Sequence, residues 1–213
     1  DLMENWEIER CSRATFRPYL HESEDRQDGM YNTFHGYPLQ LITSQDVQVE
    51  GTLLYRYFKV VFGWDETQVT PRLEFWWNTI AFWIQQPRVR TETLYCITSK
   101  TQGCGKSFFF EIMKGLLGAE LASFHVSLEK YLTKYDFGNS SKLLHFVDDI
   151  ESAKDRTRAL FSRVTAKTQK YEQKYMDPVT LPEFSEVCLT GNDNAASLFV
   201  SAQDRRILCY EVC

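Results

Sequence analysis

The run from Thr98 to Gly118, TSKTQGCGKSFFFEIMKGLLG, constrains this chain more than any other. Gly103 and Gly105 flank Cys104, and Lys106-Ser107 follow directly. Ahead of the run stands TLYCIT, Thr93 to Thr98, short, β-branched and aromatic, which predicts a strand. Behind it Phe109, Ile112, Met113, Leu116 and Leu117 recur at helical spacing, and Gly118 suits a helix stop. Strand, glycine loop, Lys-Ser and helix are the layout of a phosphate-binding loop. Glycines let backbone N–H groups turn inward around phosphate oxygens, and the helix N-terminus adds its positive dipole end. Thr101, Gln102, Gly103, Cys104, Gly105, Lys106 and Ser107 then form the nucleotide cradle. In that layout Lys106 reaches the β- and γ-phosphates and the Ser107 hydroxyl ligates Mg²⁺. Lys100 stands where G-x-x-x-x-G-K-[ST] has its first glycine. The plain alternative is a glycine turn between a strand and a helix that binds nothing.

The chain has 213 residues, 43% hydrophobic and 25% charged, enough apolar material for one sizeable core or a core with a smaller appended region. Its formal charge of −5 excludes a general polycation, so any nucleic-acid contact must come from a local basic feature. The cysteines at 11, 96, 104, 188, 209 and 213 include no C-x-x-C pair, which excludes a zinc framework. Cys96, Cys188 and Cys209 lie in apolar strand-like runs and read as small buried hydrophobes in a reducing, intracellular compartment. No apolar segment is long enough to span a bilayer, so no membrane partner is expected. The start at Asp1 without Met reads as a piece cut from a longer polypeptide.

Residues 1–50 are the least patterned. Trp6, Phe16 and Tyr19 are scattered, Glu22 to Asp28 reads as a solvated loop, and Met30 to Ile42 as a turn-rich, partly buried stretch. His35 stands alone and reads as a surface or hydrogen-bonded residue. Residues 53–62 carry apolar side chains on most faces and predict a short buried helix. Pro71 opens a helix whose Leu73, Trp76, Trp77, Ile80, Ala81 and Ile84 form a stripe, ended by Pro87; packing is favoured over base stacking for it.

From Thr93 strands alternate with helices, which predicts an α/β fold with a mostly parallel sheet flanked by helices. Ser127 caps a short helix over 127–132, Lys142 to Ile150 is an apolar strand ending in Asp148-Asp149, and 154–165 is a surface helix with Leu160, Phe161 and Val164 inward. Thr168 to Glu183 predicts a hairpin, Ser185 to Asn192 another apolar strand, 195–200 a short turn or helix, and Arg205 to Val212 the last strand. Ligands in such sheets collect at strand C-termini, where the glycine loop, Asp148-Asp149 and Asn192 all fall.

A carboxylate at the end of an apolar strand holds Mg²⁺, which suits Asp148, and a second orients or deprotonates the attacking water, which suits Asp149. The competing role is an N-cap for the next segment. Asn192 positions water at a γ-phosphate without adding negative charge, although Gly191-Asn192-Asp193-Asn194 is also a good turn. Arg205 and Arg206 either stabilise phosphoryl charge, supplied by a neighbouring subunit, or are surface arginines at a strand start. Arg163, Lys167, Lys170 and Lys174 form the clearest basic cluster, interleaved with Tyr171 and Tyr175, and suit a phosphate backbone with little base preference; a solvated charged face is the competitor.

In order, TQGCGKS, HFVDDI, a lysine-bearing hairpin ending in MDPVTLP, CLTGN and DRR resemble the superfamily 3 helicases, within the AAA+ P-loop ATPases. The likeness is greatest to the primase-associated helicases of viruses, phages and plasmids, including the poxvirus-like group. Asn32 to Gly36 resembles the segment that precedes the ATPase core there, and the resemblance spans about residues 30–212. It implies a small, mainly helical, collar-like region over 1–90 and an ATPase core over 91–213. Gly103, Gly105, Lys106 and Ser107 then match the Walker A loop, Asp148 and Asp149 the Walker B pair, and Asn192 the polar sensor residue. Arg205 or Arg206 matches the arginine finger acting on the adjacent protomer's ATP, and Lys167, Lys170 and Lys174 the DNA-contacting hairpin. The resemblance implies a ring, usually a hexamer, that moves along single-stranded DNA with ATP and Mg²⁺, with any primase outside this chain. A nucleotide-binding assembly module without unwinding activity is the alternative, and a small-molecule P-loop kinase a third reading.

Overall fold

A parallel sheet fixes where everything else in this molecule sits. The computed structural model describes residues 13–19, 30–38, 49–62, 71–133, 137–148, 156–192 and 205–212. Two short strands, β1 (Arg13–Thr15) and β2 (Met30–Asn32), pair in parallel ahead of helices α1 (Leu53–Val61) and α2 (Pro71–Gln85). Then follow β3 (Leu94–Ser99), α3 (Lys106–Leu117), β4 (Ala122–His125), α4 (Leu128–Tyr131) and β5 (Leu144–Asp148). The chain continues through α5 (Thr157–Thr165), the antiparallel hairpin β6 (Thr168–Tyr171) and β7 (Val179–Pro182), then β8 (Glu186–Asn192) and β9 (Ile207–Glu211). The main sheet has five strands in the order β4-β5-β8-β3-β9, every neighbouring pair parallel. The expected α/β fold, a central parallel sheet flanked by helices, is what the chain adopts.

Both faces of the sheet are covered, which is why its inner strands read as unbroken apolar runs. Alternate side chains serve opposite faces. Tyr95, Ile97, Leu144, Phe146 and Cys188 join one core with Phe109, Phe110, Met113 and Leu117 of α3. Leu94, Cys96, Val147, Val187 and Leu189 join the other with Leu128 and Tyr131 of α4 and Leu160, Phe161 and Val164 of α5. Helices α1 and α2 belong to the first core through Phe58, Val61, Leu73, Trp76, Ile80 and Trp83. The aromatic stripe of α2 is therefore packing: Trp76 is fully buried, with its ring 5.4 Å from Phe109 and 5.9 Å from Tyr95.

Helix α1 differs from expectation on one side. Phe58 and Val61 are buried, but Leu53 and Val60 are 82% and 71% exposed, because only one face of the helix meets α3. Strand β4 has no expectation to match it: four residues, Ala-Ser-Phe-His, are too short to give a periodic signal, and pairing with β5 makes them a strand. Cys209 also departs from its expected burial: it is exposed on β9, the edge strand of the sheet among the described residues. The segments expected at 22–28 and 195–200 lie outside the described residues, as do Asp149 and the side chain of Asn192.

Candidate nucleotide site

Residues 100–105 connect β3 to α3 at the C-terminal edge of the sheet. Ser99, the last residue of β3, is fully buried; its Oγ accepts from the Thr101 N–H at 3.0 Å and donates to the Thr101 carbonyl at 2.8 Å, which starts the loop. Gly103 and Gly105 have φ of 76° and 95°, left-handed backbone that side chains rarely adopt. A Cβ at Gly105 would also stand 3.3 Å from both Tyr57 Cε2 and Val61 Cγ2. Gly105 caps α3, and its carbonyl accepts from the Phe108 and Phe109 N–H groups at 3.0 and 3.3 Å. It accepts a further bond from outside the motif, the Tyr57 hydroxyl of α1 at 2.9 Å.

The side chains follow from that backbone. Thr101, Gln102, Gly103 and Ser107 are exposed, and Cys104, Gly105 and Lys106 half-buried. The Lys106 ammonium lies 3.8 Å from Cys104 Sγ, held back over its own loop. Lys100 is turned outward to the edge strand, where its ammonium pairs with Glu211 at 2.9 Å. It thus stands beside the loop without filling it.

Strand register brings the other predicted residues to this edge. Ser99 is the partner of Asn192, so β8 ends beside the loop. Asp148 ends β5 as the partner of Thr190 on β8, and the Thr190 hydroxyl donates to Asp148 Oδ1 at 2.6 Å. One strand, β8, separates β3 from β5. Two strand spacings are about 10 Å, which leaves room for a phosphate group and a hydrated cation between the loop and Asp148.

Arg205 and Arg206 are not at this edge. They precede β9, and the Arg206 carbonyl accepts from the N–H of Leu94, the first residue of β3. The length of β3 sets them about 17 Å below the glycine loop of their own chain. Arg205 is exposed, while the Arg206 guanidinium lies over the Phe161 ring at 4.3 Å.

The basic cluster divides. Lys167, Lys170 and Lys174 are exposed, and Lys174-Tyr175 form the turn of the hairpin, with Tyr175 fully exposed at φ 66°. Arg163 and Tyr171 leave the surface cluster. Arg163 is buried, donates to the Tyr131 carbonyl at 3.0 Å and lies 4.6 Å over the Tyr131 ring. Tyr171 is buried and donates to Glu183 Oε2 at 2.7 Å, while Glu183 Oε1 accepts from the N–H and hydroxyl of Ser185. Arg90 bonds the carbonyls of Val164, Ala166 and Ser185, tying the end of α5 to the start of β8. The hairpin base is therefore clamped to the body, and three residues join it directly to β8.

Behind β5 lies a separate buried cluster. Ser123 Oγ is 3.0 Å from His125 Nε2 and 2.6 Å from His145 Nδ1. His145 Nε2 is buried without a partner among the described residues. Burial first, then the nearby His125, Arg163, Lys142 and Arg90, hold His145 well below the usual imidazole range, so it is neutral.

A model of the family described as "Family of unknown function (DUF5906)" matches residues 97–206. No curated protein sequence matches the chain. The A-form apo structure of the NrS-1 C-terminal region superposes with a TM-score of 0.73 at 18% identity, covering 93% of this chain and 46% of that one. A second A-form apo structure of that region gives 0.73 at 19% identity, covering 94% and 46%. At such identity the likeness establishes the fold, and this chain spans a little under half of the chains it matches. A JCV helicase structure aligns at a TM-score of 0.38 and 14% identity over 76% of this chain and 46% of that one, a level that carries no argument.

Proposed function

We propose, from the premise that this chain belongs to the DUF5906 family of unknown function, that it is an ATP-dependent DNA helicase domain of a primase-helicase type replication protein. The carrying observation is the alignment of three parallel strand ends, Ser99 beside Asn192 and Asp148 beside Thr190, with the Lys106 loop rising from the first. Backbone N–H groups from Thr101 to Ser107 would surround the β- and γ-phosphates of ATP, and Lys106 would neutralise them. Ser107 and Asp148 fit Mg²⁺: both offer hard oxygen donors, and Asp148 Oδ2 has no partner among the described residues. Bound there, the cation supplies charge neutralisation on phosphate oxygens. Asp149 would take a proton from the attacking water and Asn192 would orient it.

The arginine at this site would come from a neighbouring copy, since the chain's own Arg205 and Arg206 precede the far end of the sheet. Arg205 is the exposed member of the pair and the better able to reach outward. A closed ring, hexameric in this reading, lets each copy complete the next. Lys167, Lys170 and Lys174 would contact the phosphates of single-stranded DNA within it. A primase unit would belong to another part of the same polypeptide.

The test is ATP turnover with and without single-stranded DNA. Turnover is expected to rise with DNA and to vanish in Lys106→Ala and Asp149→Ala. Mixing Arg205→Ala with Lys106→Ala should restore part of it, because one variant keeps the loop and the other the arginine. A protein that binds nucleotide and assembles, but whose turnover is absent or indifferent to DNA, would be an assembly module, and the motor reading would be wrong.

A further inference from the structure

We infer that Thr190 is the positioning residue for Asp148, holding one carboxylate oxygen so that the other faces the cation. The inference rests on the metal-holding role proposed for Asp148 and names the group that gives that role its geometry. Thr190 and Asp148 are register partners on adjacent parallel strands, so their side chains leave the sheet on the same face. That face is the one α3 covers, because Phe146 and Cys188, two residues before each, both join the α3 core. Thr190 is fully buried, and its nearest same-face neighbours along β8 and β5, Cys188 and Phe146, are apolar. Valine would fill the same space, so the hydroxyl is not there for packing. A buried hydroxyl without an acceptor is costly, and its acceptor is Asp148 Oδ1 at 2.6 Å, the short distance of a charge-assisted bond. Asp148 itself is half-buried. With Oδ1 committed to Thr190, rotation of the carboxylate is restricted and Oδ2 is the oxygen available to a cation beside the loop. Hydrogen-bond partners of metal-holding carboxylates act in this way, and their removal weakens metal affinity about 10- to 100-fold.

The experiment uses Mn²⁺ as the probe, bound to the full chain with a non-hydrolysable ATP analogue and read by electron paramagnetic resonance. Thr190→Val is expected to raise the Mn²⁺ dissociation constant by about 10-fold or more. The protein should stay folded, with a melting temperature lowered by no more than a few degrees, and its affinity for the analogue in EDTA should stay at the parent value. Thr190→Ser keeps the hydroxyl and should recover most of the Mn²⁺ affinity. Asp148→Asn should lose more than Thr190→Val does. Parent-like Mn²⁺ binding by a folded Thr190→Val protein, alongside weakened binding by Asp148→Asn, overturns the positioning role while leaving the metal role intact. Parent-like binding by Asp148→Asn overturns the metal role itself. If Thr190→Val unfolds, Thr190→Ser decides: Mn²⁺ binding as weak as in Asp148→Asn, in a folded protein, rejects a role for the hydroxyl.

Discussion

The Tyr57 hydroxyl donates to the Gly105 carbonyl at 2.9 Å, so a helix more than forty residues upstream holds the turn that opens α3. The Tyr57 ring also stands edge-on to Phe108, centroids 5.2 Å apart, and lines the space a Cβ at Gly105 would enter. Tyr57→Phe removes the bond and keeps the ring. Nucleotide affinity is expected to fall by a few-fold, in line with about 1 kcal/mol for one hydrogen bond, with the fold retained. A fluorescent-nucleotide titration and a thermal melt check both halves.

Under the proposed nucleotide site, Cys104 should report on occupancy of the loop. It is half-buried beside Lys106, whereas Cys96 and Cys188 are buried with thiols pushed well up. Cys209 is exposed, and the hydrogen bond from Cys96 lowers its thiol. Site-resolved mass spectrometry after iodoacetamide should find Cys209 labelled quickly with or without nucleotide. Cys104 should be labelled markedly more slowly once ATP analogue is added. Lys106→Ala should abolish that protection.

Acid should weaken the fold through His145. Its folded pKa is depressed, while an unfolded imidazole titrates near 6.5. Below about pH 6.5 the unfolded chain therefore takes up a proton that the folded chain refuses. The stability is fully present above that pH and is lost as pH falls, by up to about 1.4 kcal/mol per pH unit. Urea unfolding at pH 7.5, 6.5 and 5.5 should give a steeper acid decline for the parent than for His145→Gln.

The hairpin should separate binding from stability. Lys174→Ala is expected to weaken single-stranded DNA binding and reduce the salt slope by about 0.7, the increment for one phosphate contact. Tyr175→Ala should cost about 1 to 3 kcal/mol of DNA affinity if bases stack on the exposed ring. Arg163→Ala should instead lower the melting temperature, since its guanidinium bridges α5 to Tyr131 inside the core. Filter binding across salt concentrations, with melts alongside, distinguishes the three.

Much of the sheet edge that carries the candidate site was legible because its signals are local. A glycine loop needs its glycines, a buried strand needs an apolar run, and the runs read over 93–98, 142–150 and 185–192 stop within two residues of the ends of β3, β5 and β8. Pairwise contacts across sequence were not legible. Nothing near Tyr57 announces that its hydroxyl meets Gly105, and Thr190 reads as an ordinary strand threonine until β8 lies beside β5. The basic cluster misled for a related reason. Arg163 and Tyr171 have the same local chemistry as the exposed lysines, and only α4 and Glu183 packing over them removes them from solvent. Cys209 erred the other way, because an apolar strand does not declare whether it will be an edge.

Strand β8 leaves the clamped hairpin base at Glu186 and reaches the edge that carries the glycine loop at Asn192 with no turn between. An extended segment hydrogen-bonded on both sides resists stretching, so in the proposed motor it would act as a push-rod. Displacement of the lysine loop at the lower rim would have to be answered at Thr190, and the carboxylate bonded to it would tilt in turn. Load on a bound strand and grip on the cation would then be two readings of a single coordinate, with no separate relay between them.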